Sequence, residues 1–207
     1  MRRATILSTV PSLPAPAHRP APAPDWGLSI FSGRVGELSG GCASAALTLA
    51  FRLVLEAQRA REPVAWISRP DRFFYPPDAA AAAVDLEALV VVRVEGALGA
   101  ARAADRLVRS GAFGLVILDL GEDARLPLAA LSRLSGLARV HRTAVLGLTE
   151  KDAASPSLGP LVSIRAEAAR MLREPGRFVC RARVLKDKQG RPGREHEEVL
   201  RGPDGLH

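Results

Sequence analysis

Cysteine is almost missing from this chain, with two in 207 residues, Cys42 and Cys180. Two cysteines so far apart form neither a disulfide framework nor a thiolate metal centre. The four histidines (His18, His141, His196 and His207) are scattered and make no ligand cluster; no metal site is expected. Aromatic residues are only 4% of the chain, too few for a surface that stacks successive bases of a single strand. No apolar run approaches the roughly 20 residues of a membrane span. Met1-Arg2-Arg3 before a short apolar run faintly resembles a leader, but prolines follow at once, so export is not expected. The expected setting is the reducing cytoplasm, with no membrane partner. Lysine is also scarce: Lys151, Lys186 and Lys188 are the only three. The formal charge of +7 and isoelectric point near 10.6 are therefore built from arginine. They point to an anionic partner or an acidic protein surface, and coding bias toward arginine explains them equally well.

What the chain does have is a core. It is 47% hydrophobic and 25% charged, enough for one well-filled domain of this length. The organising stretch is Gly33 to Arg52. A short strand (Val35, Glu37, Leu38) meets a glycine turn (Gly40, Gly41), then a helix with Ala46, Leu49, Ala50 and Leu53 on one stripe. Strand, glycine turn and helix form the frame of a phosphate loop, G-x-x-x-x-G-K-[ST]. On that frame Gly40 takes the first glycine, Ala45 the second, Ala46 the lysine and Leu47 the hydroxyl residue. Ala46 has no cation for a phosphate and Leu47 no oxygen for magnesium. Two lost charge-assisted contacts, at roughly 1.5–3 kcal/mol each, would weaken nucleotide binding a hundredfold or more. Taken alone, the stretch is read equally well as a strand, a turn and a buried helix.

Residues 1–25 hold a short apolar piece, Ile6 to Val10, and then a Pro/Ala-rich segment that reads as an extended tail. Its alternative use is as a tether whose strand-like tip, Thr5 to Val10, adds to a sheet edge. Further strands are expected at Val64–Ser68, Leu89–Val94, Phe113–Asp119 and Thr143–Leu148, with helices between them. The valine-rich Leu89–Val94 run has the composition of a strand buried on both faces. Alternating strands and helices predict an α/β fold, a mostly parallel sheet with helices on both faces. From Leu161 the pattern turns to strand-like segments, 161–165, 177–186 and 195–200, with a turn at 189–193. They predict an antiparallel extension at one sheet edge. The expected organisation is a tail over 1–25, a core over 26–165 and an extension with a basic tail over 166–207. Asp119 ends an apolar strand in the form used by an acid that orients magnesium beside a phosphate loop. Ligands of open α/β sheets bind at such strand ends.

In register and order, Arg34 to Leu148 resembles the ATPase core of RecA recombinases. RVGELSGGCASAALTL is similar to their first strand and phosphate loop. AAAVDLEALVVVRVEGALGAARAADRLVRSGAFGLVILDL is similar to the segment running to their magnesium acid. The ending VLKDKQGRPGREHEEVLRGPDGL resembles ImuA-type RecA-like proteins of damage-induced (SOS) mutagenesis, and the likeness covers roughly 26–207. It implies a RecA-like P-loop core and contacts with an inactive translesion-polymerase relative (ImuB-like), with RecA or with an error-prone polymerase. It also implies weak or indirect DNA contact and nucleoid association after damage. The departures imply a retired ATPase without bound ATP or magnesium. Where RecA's water-activating glutamate would fall stand Ser68-Arg69-Pro70, with no acid before Asp71. Thr149-Glu150 replaces the signalling glutamine, and the segments matching the DNA loops, near 121–125 and 151–159, are short. Partner contact is expected from the charged C-terminal segment: Lys186, Lys188, Arg191, Arg194, Glu197 and Glu198. Arg165, Arg181 and Arg183 belong to the same mixed-charge face. A chain cut after Leu185 is expected to remain folded. Two rivals remain. One is a divergent ATPase that neutralises phosphate with Arg34 or Arg69; the other is a DNA-binding repair subunit. The loop Arg72-Phe73-Phe74-Tyr75 is expected to pack on the sheet's end; the alternative is that its aromatics fill the vacated cleft or bind a partner.

Overall fold

The computed structural model describes residues 26–41, 44–72, 74–122, 124–174, 177–190 and 192–201. The tail tip at 5–10, Cys42, Phe73, Arg191 and everything past Arg201 lie outside the described residues.

A 3-10 turn, Leu28–Phe31, leads into β1 (Val35–Ser39) and α1 (Ala46–Arg59). Then follow β2 (Val64–Ser68), α2 (Pro76–Ala81), β3 (Leu89–Arg93), α3 (Gly96–Arg109), β4 (Leu115–Gly121), α4 (Leu128–His141) and β5 (Ala144–Thr149). Three long strands close the chain: β6 (Ile164–Glu174), β7 (Arg177–Asp187) and β8 (Glu195–Arg201). All eight join one sheet in the order β3-β2-β4-β5-β1-β6-β7-β8. Pairing is parallel from β3 to β6 and antiparallel from β6 to β8. This is the expected α/β architecture of a RecA-like core with an antiparallel extension.

Side-chain alternation splits the interior into two layers. Leu38, Val64, Trp66 and Ile117 face α1 and α2, beside Leu49, Leu53 and Ala79. Val35, Ala65, Ile67 and Leu118 face α3 and α4, beside Ala101, Ala104, Leu131 and Leu134. Gly36 makes the first layer possible, because a Cβ there would lie 2.6 Å from the Phe31 ring.

Two strands depart from expectation. β3 is not buried on both faces. It is the outermost strand, and Val90 and Val91 are 46% and 40% exposed. An unbroken valine run shows that both faces are apolar; position in the sheet decides whether they are covered. β6 begins three residues later than the expected 161–165 segment and runs to Glu174. It enters the sheet parallel to β1 and continues past Ser39 as the partner of β7, so the strand crosses residue 165. The sequence of 166–174, AEAARMLRE, is made of helix formers. Pairing with β7 overrides that local preference.

Candidate functional site

The carboxyl ends of the parallel strands bring together the residues singled out by their spacing. Ser39 ends β1 and Gly40 follows it, Ser68 ends β2 and Arg69 follows it, Asp119 lies in β4, and Thr149 ends β5 with Glu150 after it. Gly40 donates its N–H to the Thr149 carbonyl at 3.1 Å. A Cβ at Gly40 would come within 2.5 Å of the Ala168 carbonyl on β6, so glycine is required there by β6 itself. At the start of α1, the Ala46 N–H donates to the Ser44 hydroxyl at 3.0 Å, which satisfies one of the helix's free amides internally. Ala45 and Ala46 are buried and Leu47 is exposed. None of the three carries a group that could hold a phosphate or a magnesium ion.

The cation on Asp119 is the chain's own. Arg72 donates through Nε to Asp119 Oδ1 at 3.3 Å and through its terminal nitrogen to Glu150. One guanidinium thus bridges the strand-end acid of β4 and the acid after β5. Gly121, at φ +71°, leaves room for it, since a Cβ there would meet the Arg72 side chain at 3.3 Å. Burial pushes the Asp119 carboxyl above the ordinary aspartate range, and Arg72 offsets only part of that. Burial disfavours the Arg72 cation, but its bonds to Glu150 and Asp119 outweigh this and raise its pKa. Arg69 is beside the same edge, held by Asp71 at 3.0 Å and reaching the Leu120 carbonyl at 3.4 Å. Arg34 is not at this edge. It precedes β1 at the far end of the sheet, where it donates to the Ile30 carbonyl at 3.0 Å and to Ser163 Oγ at 2.8 Å. A phosphate-neutralising role for Arg34 is thereby ruled out by position. Phe74 packs into the core in edge contact with Phe51, centroids 6.1 Å apart, while Tyr75 is exposed.

A second charged cluster lies beneath the cleft and had no signal in the sequence. Glu37, fully buried in β1, accepts from Thr149 Oγ1 at 2.9 Å and from the Leu158 N–H at 2.9 Å. Lys151 Nζ and Arg165 Nε approach the same carboxylate at 4.0 and 3.8 Å. Lys151 also donates to the Pro156 carbonyl at 3.3 Å. Arg165 donates to the Asp152 carbonyl at 2.7 Å and to Ser39 Oγ at 3.2 Å. The loop between β5 and β6 is therefore fastened to the sheet by three buried charges. The members are more than a hundred residues apart in sequence, except within the loop, so spacing could not reveal them.

The expected C-terminal docking residues are mostly engaged within the fold. Arg194 donates to Asp187 Oδ2 at 2.9 Å, Lys188 to the Pro160 carbonyl at 2.8 Å. Glu197 pairs with Arg181 at 2.6 Å and Glu198 with Arg52 at 2.8 Å. Lys186 is partly buried, and burial together with nearby Lys188 lowers its pKa. Asp187 also binds Arg34, with the two side chains 1% and 8% exposed, which ties the β7–β8 hairpin to the start of β1.

No family model matches the chain. It is similar to protein RecA of Rubrobacter xylanophilus, at 35% identity over 133 residues. RecA of Nocardioides is 30% identical over 137 residues, and RecA of Fusobacterium nucleatum 28% identical over 137. These stretches cover 55–57% of this chain and 36–39% of the relatives, so the chain spans less than two-fifths of their length. The sequence likeness supports a RecA-related chain, and the mostly parallel α/β sheet with its antiparallel C-terminal strands fits a RecA-like core.

Proposed function

We propose that this chain is a non-catalytic, ImuA-type member of the RecA-like group that works by protein contacts in damage-induced translesion synthesis. Its partners on this reading are an ImuB-like inactive polymerase relative, RecA or an error-prone polymerase. The observation that carries it is Arg72 lying between Asp119 and Glu150. An ATPase needs that acid for magnesium and a lysine and hydroxyl in the loop. Here the acid is paired with an internal cation and the loop offers Ala46 and Leu47. Ser44 adds to this by taking the Ala46 amide that would otherwise face an anion.

The test has two arms. Millimolar ATP with magnesium should leave the melting temperature unchanged. A ligand present at 100 times Kd would add about 2.7 kcal/mol of stability, and a clear upward shift would return the divergent ATPase, with Arg69 as its cation. In the second arm, the tagged chain expressed in DNA-damaged cells should co-purify with the inactive polymerase relative. Recovery of nucleic acid alone would favour the DNA-binding subunit instead.

A further inference from the structure

Net charge is not spread evenly over the two helical layers. α3, α4 and the residue that ends α4 carry six arginines: Arg102, Arg106, Arg109, Arg133, Arg139 and Arg142. All six are exposed, and Asp105 is the one acid among them. On the other face of the sheet, α1 and α2 carry Arg52 and Arg59 against Glu56 and Asp78. Most of the formal charge of +7 therefore gathers on the α3–α4 layer. A coding bias toward arginine explains how many there are, and not why they collect on one layer without acids.

Two contacts fix how these helices lie together. Asp105 on α3 meets Arg133 on α4 at 3.8 Å. A Cβ at Gly111, just past α3, would lie 2.9 Å from the ring of His141, the last residue of α4. The helices therefore run side by side in the same direction, with Leu98 level with Leu128 at their starts. These two leucines are 45% and 59% exposed. Arg102, Arg106 and Arg109 follow along α3 at helical spacing, on one side of the helix and about 5–6 Å apart. Arg109 and Arg133 both hold Asp105, at 3.1 and 3.8 Å, which fixes two guanidinium groups over the seam between the helices. One carboxylate between two cations leaves that seam positive. Among the described residues, Arg102, Arg106, Arg139 and Arg142 pair with no acid.

We infer that the α3–α4 face docks an acidic amphipathic segment of a partner protein. Its apolar end covers Leu98 and Leu128, and its carboxylates follow the arginine stripe. The inference rests on the protein contacts proposed above only for which partner supplies the segment. Charge alone would also admit a nucleic acid, but a phosphate backbone has no apolar group to cover the two leucines. From Arg102 to Arg109 the stripe is about 10 Å long, too short to follow a duplex past a few phosphates. A polypeptide meets both demands. Planar guanidinium groups grip both oxygens of a carboxylate, and the seam between two parallel helices seats the apolar stripe of a third.

The probe is a fluorescein-labelled peptide of repeating Leu-Glu-Glu-Leu, titrated with the full chain and read by fluorescence anisotropy. It should bind more tightly than poly-glutamate of equal length, which has the charge and not the apolar side. Arg102→Glu with Arg106→Glu should raise its dissociation constant at least about tenfold, the loss of two charge-assisted contacts. The melting temperature should stay close to the parent's, because both side chains are exposed. Arg173→Glu with Arg177→Glu makes the same charge change at the exposed end of the β6–β7 hairpin and should leave binding unaltered. Leu98→Ser with Leu128→Ser keeps every charge and should remove the preference over poly-glutamate. Failure of the parent chain to bind overturns the inference, and so does equal weakening by the Arg173 pair, which would leave net charge as the whole cause. Duplex DNA that displaces the peptide, and is itself lost with the Arg102 pair, would assign the face to nucleic acid and overturn it too. A parent chain that binds the peptide but recovers no polymerase relative from damaged cells would refute the partner named above and support this face.

Discussion

Arg72 and Asp187 each hold a buried partner of opposite charge, Asp119 and Arg34, and each makes a measurable prediction. Replacing Arg72 with Gln leaves Asp119, whose side chain is 4% exposed, without its cation. Because Arg72 itself is 27% exposed, solvent softens the loss, and the expected cost is about 1–3 kcal/mol, read as a lower urea midpoint. Asp119→Asn should cost less, since it removes the charge that needs the partner. For Asp187, burial works against the charged form, but hydrogen bonds from Arg34 and from the Gln189 and Gly190 amides hold its carboxyl below the ordinary range. A depressed folded value means its stabilisation is present above the unfolded pKa near 4 and is lost as pH falls through the folded one. Stability should therefore drop below about pH 4, and Asp187→Asn should flatten that drop while lowering stability at neutral pH. Asp119 is shifted the other way, so it cannot produce the same acid loss. None of this was legible in the sequence. Asp119 stood out through its four apolar predecessors, but its partner lies 47 positions away in a proline-containing loop, where an arginine has no periodic signal.

At the scale of elements, the strand–turn–helix over β1 and α1 and the acid-ended β4 were readable because each carries its own periodicity and punctuation. The strand β3 was readable too, but its exposure was not, nor was the length of β6, because their surroundings come from distant strands: among the described residues β3 has no neighbour beyond it, and β6 has two that hold a helix-prone sequence extended. The contacts of the β7–β8 hairpin argue against the expectation that a chain cut after Leu185 stays folded. That cut removes Asp187, the shared partner of Arg34 and Arg194. It also removes Leu200, which packs against the α1-side core, and uncovers one edge of β7. Stranding a buried arginine costs about 3–5 kcal/mol, a large part of the 5–15 kcal/mol that holds a domain together. The truncated chain should show a non-cooperative or strongly lowered thermal transition by calorimetry. A transition matching that of the full chain would show that the hairpin is an appendage after all.

For the molecule as a whole, the charge of +7 invites DNA, and the architecture argues for a shallow grip. A protein that neutralises phosphates needs cations free to reach them. Here Arg34, Arg52, Arg72, Arg165, Arg181 and Arg183 are all paired with acids of the same chain. The β5–β6 loop is fastened by Glu37, Lys151 and Arg165, and so is denied the mobility with which a loop wraps a strand. Binding to single-stranded or duplex DNA should accordingly be weak, indifferent to sequence and steeply lowered by salt, as measured by fluorescence anisotropy across a salt series. Submicromolar affinity at physiological salt would refute this. Glu37→Gln supplies the internal comparison. It removes the charge shared by Lys151 and Arg165, while its amide can still accept from the Leu158 N–H and donate to the Thr149 hydroxyl in place of the two bonds the carboxylate accepts. Limited trypsin digestion at Lys151 should then speed up markedly over the parent. If a loosened loop were all that DNA binding lacked, the same variant would bind DNA tightly. The expectation is faster cleavage with DNA affinity little changed, because loosening the loop frees only two cations and leaves Arg34, Arg52, Arg72, Arg181 and Arg183 paired.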